Sequence, residues 1–154
     1  MMVMKRWLIV CVSIVLLGLA GCTSWLMPKP VESESFSTLG GGFMATIESG
    51  KAANIRYGVN LLIKKDLPST GYMVVTFEDP ANKSELIVEE GTVQDMQEKY
   101  ASSVKNVLAF YSPYVEGVRK HTQYEVSVSV FSDSGKQKLL ASHKQKVGST
   151  VWGK

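Results

Sequence analysis

Val118-Arg119-Lys120-His121-Thr122-Gln123-Tyr124-Glu125-Val126-Ser127-Val128-Ser129-Val130 is the most informative run in the chain. Tyr124, Val126, Val128 and Val130 fall on one side of an extended backbone, and Glu125, Ser127 and Ser129 on the other. That period of two marks a half-buried strand. Asp133-Ser134-Gly135 follows as a hairpin turn, because Gly and Asp tolerate the backbone angles a tight reversal needs. Lys138 to Val147 then returns as a partner strand, with Leu139 and Ala141 expected inward. Lys136, Lys138, Lys144 and Lys146 are expected on the opposite face. Such a row has two readings, an anion-binding strip or a solvated face that deters edge-to-edge pairing. The second is preferred, since lysine is a common guard of sheet edges.

Working toward the N-terminus, the same period recurs. Ile55, Tyr57, Val59, Leu61 and Ile63 alternate with Arg56, Gly58 and Asn60, a second half-buried strand. Leu67 to Gly71 is a turn, and Tyr72 to Phe77 reads as a strand buried on both faces, broken by Asp79-Pro80. Leu86 to Val88 is a short strand ended by Glu89-Glu90-Gly91. Val93, Met96, Tyr100, Val104 and Val107 recur at three- and four-residue spacing after Thr92 and Asp95. Those signals suggest one short helix near 93–101, although Ser102 and Ser103 weaken it and Asn106 to Tyr111 reads as strand again. The fold class expected is therefore mainly β, a β-sandwich.

The residues before Tyr124 carry a resemblance that supports this. Val118, Thr122 and Tyr124 match the tyrosine corner that leads into the sixth strand of fibronectin type III and related immunoglobulin-like sandwiches. The Pro-Gly pair common there is Lys120-His121 here. The resemblance implies an immunoglobulin-like β-sandwich with a buried Tyr124 ring whose hydroxyl bonds backbone a few residues upstream. It implies nothing about function, because such sandwiches host many roles.

The N-terminus has its own logic. Lys5 and Arg6 precede an apolar run from Trp7 to Leu19, which Leu19-Ala20-Gly21-Cys22 closes. At roughly 13 residues the run is short for a membrane-crossing helix and right for a signal segment. The closing four residues resemble the lipobox of bacterial lipoproteins. The family implies cleavage between Gly21 and Cys22, a diacylglycerol thioether on the Cys22 sulfur, and a further acyl chain, often palmitate, on the new N-terminus. Two or three chains give stable anchoring where one does not. In Gram-negative lipoproteins an Asp after the Cys retains the protein in the inner membrane; Thr23 stands there, so for a Gram-negative cell the resemblance points to the outer membrane, facing the periplasm. The expected organisation is 1–21 signal peptide, 22–42 lipidated Cys and flexible tether, and 43–150 β-sandwich domain. Pro28-Lys29-Pro30 stiffens the tether and Gly40-Gly41-Gly42 forms a joint. Trp25, Leu26 and Met27 either dip into the lipid interface or pack on the domain.

Bulk numbers narrow the function. The chain has 154 residues, 45% hydrophobic and 20% charged, enough for one domain with a real core. Removing residues 1–21 takes two of its 17 basic side chains and none of its 14 acidic ones, leaving 15 against 14. Near-neutrality argues against nucleic acid as a partner, since that needs a concentrated positive field. Cys11 and Cys22 are the two cysteines; with the first removed and the second acylated, neither a disulfide nor a thiol nucleophile is expected.

His121 and His143 lack spaced metal-ligating partners, and Glu89-Glu90 as sequence neighbours point apart. No hydrolase elbow, phosphate loop or dinucleotide fingerprint occurs. Neither cofactor nor catalytic residue is nominated, and no enzyme is expected. Two functions remain: a non-enzymatic binding or assembly module for another envelope protein, or a carrier or sensor of a lipid, glycan or peptidoglycan fragment. Assembly of a secretion machine is a further possibility that no residue singles out. Phe110, Tyr111 and Tyr114 around Ser112-Pro113 are the contact candidates, with core packing an equal explanation.

Overall fold

The computed structural model describes residues 28–47, 49 and 53–149. Within them run β1 (Phe36–Thr46), β2 (Asn54–Ile63), β3 (Tyr72–Glu78), β4 (Leu86–Thr92), α1 (Val93–Lys99), β5 (Val107–Tyr111), β6 (Gln123–Phe131) and β7 (Leu139–Gly148). They form a three-stranded sheet in the order β1-β2-β5 and a four-stranded sheet in the order β4-β3-β6-β7. Every neighbouring pair is antiparallel. The chain changes sheet between β2 and β3, between β4 and β5, and between β5 and β6. The result is a β-sandwich.

Strand alternation builds its core. Tyr124, Val126, Val128 and Val130 of β6 are buried, and they meet buried Tyr57, Val59 and Leu61 of β2. Each fully buried Val or Leu contributes roughly 1.5–3 kcal/mol relative to exposure. Tyr57 is the aromatic centre. Its ring stacks on Phe43 at 5.0 Å and meets Phe77 edge-on at 5.9 Å. Its hydroxyl donates to the Glu78 carbonyl, which satisfies a buried polar atom, and burial pushes its pKa up.

α1 starts where its cap residues predict: Thr92 accepts from the Asp95 N–H at 3.1 Å, and Val93 and Met96 are buried. It ends at Lys99, two residues before the expected limit.

Four expectations need correction. Tyr72 to Phe77 is not buried on both faces: Met73, Val75 and Phe77 are buried, while Tyr72, Val74 and Thr76 are only half-buried. The outer face of this sheet lies toward solvent. Glu89-Glu90-Gly91 does not end β4, which runs on to Thr92 in register with β3.

Leu139 does not point inward. A register shift between Val130 and Phe131 places Ala141 opposite Val130 and Leu139 opposite Phe131, and the extra residue turns Leu139 and Leu140 out to 54% and 41% exposure.

The flexible tether does not extend to 42. Phe36 to Thr46 is a strand, and Gly40-Gly41-Gly42 lies within it. A Cβ on Gly41 would meet Val59 at 3.1 Å and Val147 at 3.3 Å. That glycine lets β1 approach β7 across the open side of the sandwich.

Candidate functional site

The segment just before β1 is bonded to the sandwich. Ser33 N–H donates to the Phe36 carbonyl at 2.8 Å, and Thr38 N–H to the Val31 carbonyl at 3.0 Å, so the chain folds back on β1. Two polar side chains of β7 hold it there. Gln145 accepts from Val31 N–H at 2.8 Å and donates to the Lys29 carbonyl at 3.1 Å. His143 lies between Thr38 Oγ1 at 2.8 Å from Nε2 and Ser33 Oγ at 3.1 Å from Nδ1.

Both side chains are almost fully buried, at 3% and 4% exposure. Phe36 tilts against the imidazole at 5.9 Å between centroids. Burial among these uncharged groups holds the His143 pKa below its ordinary value. Lys65 pairs with Glu34, and Lys64 Nζ donates to the Ser33 carbonyl at 3.0 Å. Between the docked segment and the strands lies a cleft of about 520 Å³, lined among others by Pro28, Pro30, Gly41, Phe43, Gln145 and Val147.

The sheet edges differ in how they are finished. β5 is bordered by residues 100–102, through Ala109 N–H to the Tyr100 carbonyl at 2.9 Å and Ser102 N–H to the Val107 carbonyl at 3.1 Å. The start of β1 pairs with the residues before it, through the Glu32–Ser37 bridge. β7 pairs with β6 alone, and residues 29–33 reach it through the His143 and Gln145 side chains. Among the described residues, β4 pairs with β3 alone, and its Leu86 and Val88 are 60% and 51% exposed.

The corner residues come together. Tyr124 is fully buried and its hydroxyl accepts from the Arg119 N–H at 2.9 Å. Val118 packs against the core, and Thr122 Oγ1 donates to the Lys120 carbonyl at 3.1 Å. In place of the Pro-Gly turn, His121 adopts a positive φ of 53°. Ser149 secures the corner from the end of β7: its Oγ accepts from Thr122 N–H at 3.0 Å and donates to the Arg119 carbonyl. The sequence reading missed Ser149, His143 and Gln145, since one polar residue on an alternating strand does not announce its burial.

The other candidates separate. Phe110 is fully buried and serves the core, packing on Tyr100 at 5.0 Å, so it is not a surface contact. Tyr111 lies under the Arg56 guanidinium at 5.3 Å, and Tyr114 is 58% exposed.

Glu89 turns to Lys99 and Tyr100, while Glu90 turns to Lys136, and these bonds hold both carboxyls below the usual range. In the lysine row, Lys136 pairs with Glu90 and Lys144 with Glu125 at 3.1 Å. The row is a laced surface as much as a positive strip.

Gly21, Cys22 and the residues through Met27 lie outside the described residues. Among those described, no helix is long and apolar enough to cross a membrane, and no cluster of three His, Cys, Asp or Glu is placed to hold a metal. No family model, curated protein or solved structure matches the chain.

Proposed function

We propose that the chain is an exported lipoprotein, anchored by lipid on Cys22 in the outer membrane, whose β-sandwich is a non-enzymatic binding and assembly module for another envelope protein. The observation that carries this reading is the short path from anchor to fold. Cys22 lies six residues before Pro28, and from Lys29 onward the chain is bonded to β7. Six extended residues span at most about 20 Å. The sandwich therefore works close to the bilayer, where a partner is membrane-embedded or membrane-bound.

The cleft between the docked segment, β1 and β7 favours a second reading, a carrier of a lipid or glycan fragment. Its lining joins apolar Pro28, Pro30, Phe43 and Val147 to Lys29 and Lys146, which suits an acyl or sugar-ring ligand that bears an anionic group.

The test is in-cell crosslinking and affinity purification of the acylated protein beside a Cys22→Ser variant. A discrete partner that the variant loses supports the assembly module. No partner with either form, together with a lipid or glycan fragment found by mass spectrometry on the purified protein, replaces it with the carrier.

A further inference from the structure

We propose that the free edge of β4 is the docking site of this module, and that its occupant is an extended partner segment. That segment carries apolar side chains at alternate positions and Lys or Arg between them. The inference rests on the assembly reading and names the partner chemistry.

An edge strand leaves every second N–H and C=O without a sheet partner. Those groups are best satisfied by another extended backbone, which is the mode by which a peptide adds a strand to a sheet. In this molecule the chain itself borders β5 and the start of β1, while β7, which pairs with β6 alone, is bonded to residues 29–33 through the Gln145 and His143 side chains and carries Lys144 and Lys146. β4 has no such cover among the described residues, over seven residues in unbroken register with β3.

Two of the residues that usually blunt an edge, Pro and Lys, are missing from β4, and its acidic side chains are tied to neighbouring elements. Glu89 is bound to Lys99 and Tyr100 beside α1, and Glu90 is bound to Lys136. Leu86 and Val88 are left standing on the outer face at more than half exposure. At about 3.4 Å per residue the edge offers about 24 Å of backbone, room for a segment of roughly seven residues.

Charge selects between a second copy and a foreign strand. Self-pairing of β4 about a two-fold axis brings Glu85, Glu89 and Glu90 of each copy to one seam. The cations paired along this edge are Lys83, Lys99 and Lys136, against Glu78, Glu85, Glu89 and Glu90, so carboxylates exceed their counter-ions on both sides. Like charges opposed across a strand pair destabilise it. A foreign strand with basic residues at those positions reverses the sign, and its apolar residues cover Leu86 and Val88.

The experiment places a photo-reactive phenylalanine analogue at Leu86 or Val88 of the full chain, in the cells that make it. Control positions are Ser127 and Ser142, on the same outer face toward β7. The expected result is a crosslink from 86 and 88 that is absent from the controls, with mass spectrometry locating it in an extended, basic, alternating segment of one partner. That segment, synthesised as a peptide and added to the purified full chain, then slows deuterium exchange at β4 amides. Val88→Lys abolishes the slowing while leaving the far-ultraviolet circular dichroism unchanged.

A crosslink between two copies, or to this chain's own residues, overturns the proposal. So does a crosslinked peptide that leaves β4 exchange unchanged. A partner captured through the anchored chain but crosslinked only away from β4 overturns the edge assignment and leaves the assembly reading standing. No partner by either route defeats both.

Discussion

Tyr124 joins two roles in one side chain: its ring fills the space beside Tyr57 and Phe43, and its hydroxyl takes the Arg119 N–H. Tyr124→Phe keeps the packing and leaves that donor without its partner. The expected cost is about 1–2 kcal/mol in urea unfolding, within the range for an unmade bond at a partly buried group. A change below about 0.5 kcal/mol, the scatter of ordinary surface substitutions, contradicts the pinned corner.

Gly58 is required for a different reason. A Cβ there would sit 1.8 Å from the Phe110 carbonyl oxygen, which is backbone and cannot swing aside. Gly58→Ala is expected to cost at least the ~1–3 kcal/mol of an overpacked site, measured by the same midpoint.

His143 gives a pH signature. Its folded pKa lies below its ordinary 6.5, so the unfolded chain binds the proton first as pH falls. Stability is then complete above 6.5 and declines below it. Glu34, Glu89 and Glu90 are also lowered, but from 4.5, and their contributions are lost in a more acidic window. Urea midpoints of the wild type should fall between pH 6.5 and about 5, more steeply than those of His143→Gln. Equal slopes for the two proteins would show that the seam does not hold a neutral imidazole.

Tyr124 was legible because a tyrosine opening an alternating strand, with Thr two before and an apolar residue six before, has a characteristic pattern. His143 was not, because its partners Ser33 and Thr38 lie more than 100 residues away.

The elements whose side chains alternate without interruption were the readable ones. β2 and β6 show their inner residues directly, and Thr92 with Asp95 announces α1. Where the pattern failed, a physical cause is visible. Three glycines hide β1, since a residue without a side chain cannot show which way it faces; the close approach of Val147 explains why one of them is there. The bulge at the start of β7 shifts the alternation by one and turns Leu139 out.

β4 seemed to stop at Glu89 because adjacent acids read as a solvated end. Lys99 and Lys136 pair with them from other elements and the Tyr100 hydroxyl donates to Glu89, and no local pattern reveals that. The same fact bears on a prediction at this scale. Val88→Lys adds a charge to an exposed edge position without disturbing the core, so the unfolding midpoint should move by less than about 0.5 kcal/mol. Crosslinking to the partner should be lost. A large loss of stability would mean that Val88 serves the fold rather than the edge.

At the scale of the whole molecule, the sandwich begins closer to the proposed anchor at Cys22 than the sequence suggests. Pro28 to Ser35 reads as linker because it is polar and broken by prolines, and no pattern within it foretells that Gln145 and His143 will bind its backbone and Ser33. Of the expected tether of 22–42, residues 29–33 are bonded to β7 side chains and residues 36–42 belong to β1. A short tether restricts the range of partners but raises the effective concentration of the domain at the membrane surface. An edge that takes a strand gains from that, since each backbone bond contributes modestly and the ordering of a partner segment opposes it.

The membrane side of this account depends on the lipid proposed at Cys22, and intact-mass spectrometry of the protein extracted from membranes tests it most directly. The account predicts a chain that begins at Cys22, has lost residues 1–21, and carries a diacylglycerol thioether with a further acyl group. A membrane-extracted chain that retains residues 1–21, or one that begins at Cys22 with an unmodified thiol, would contradict it.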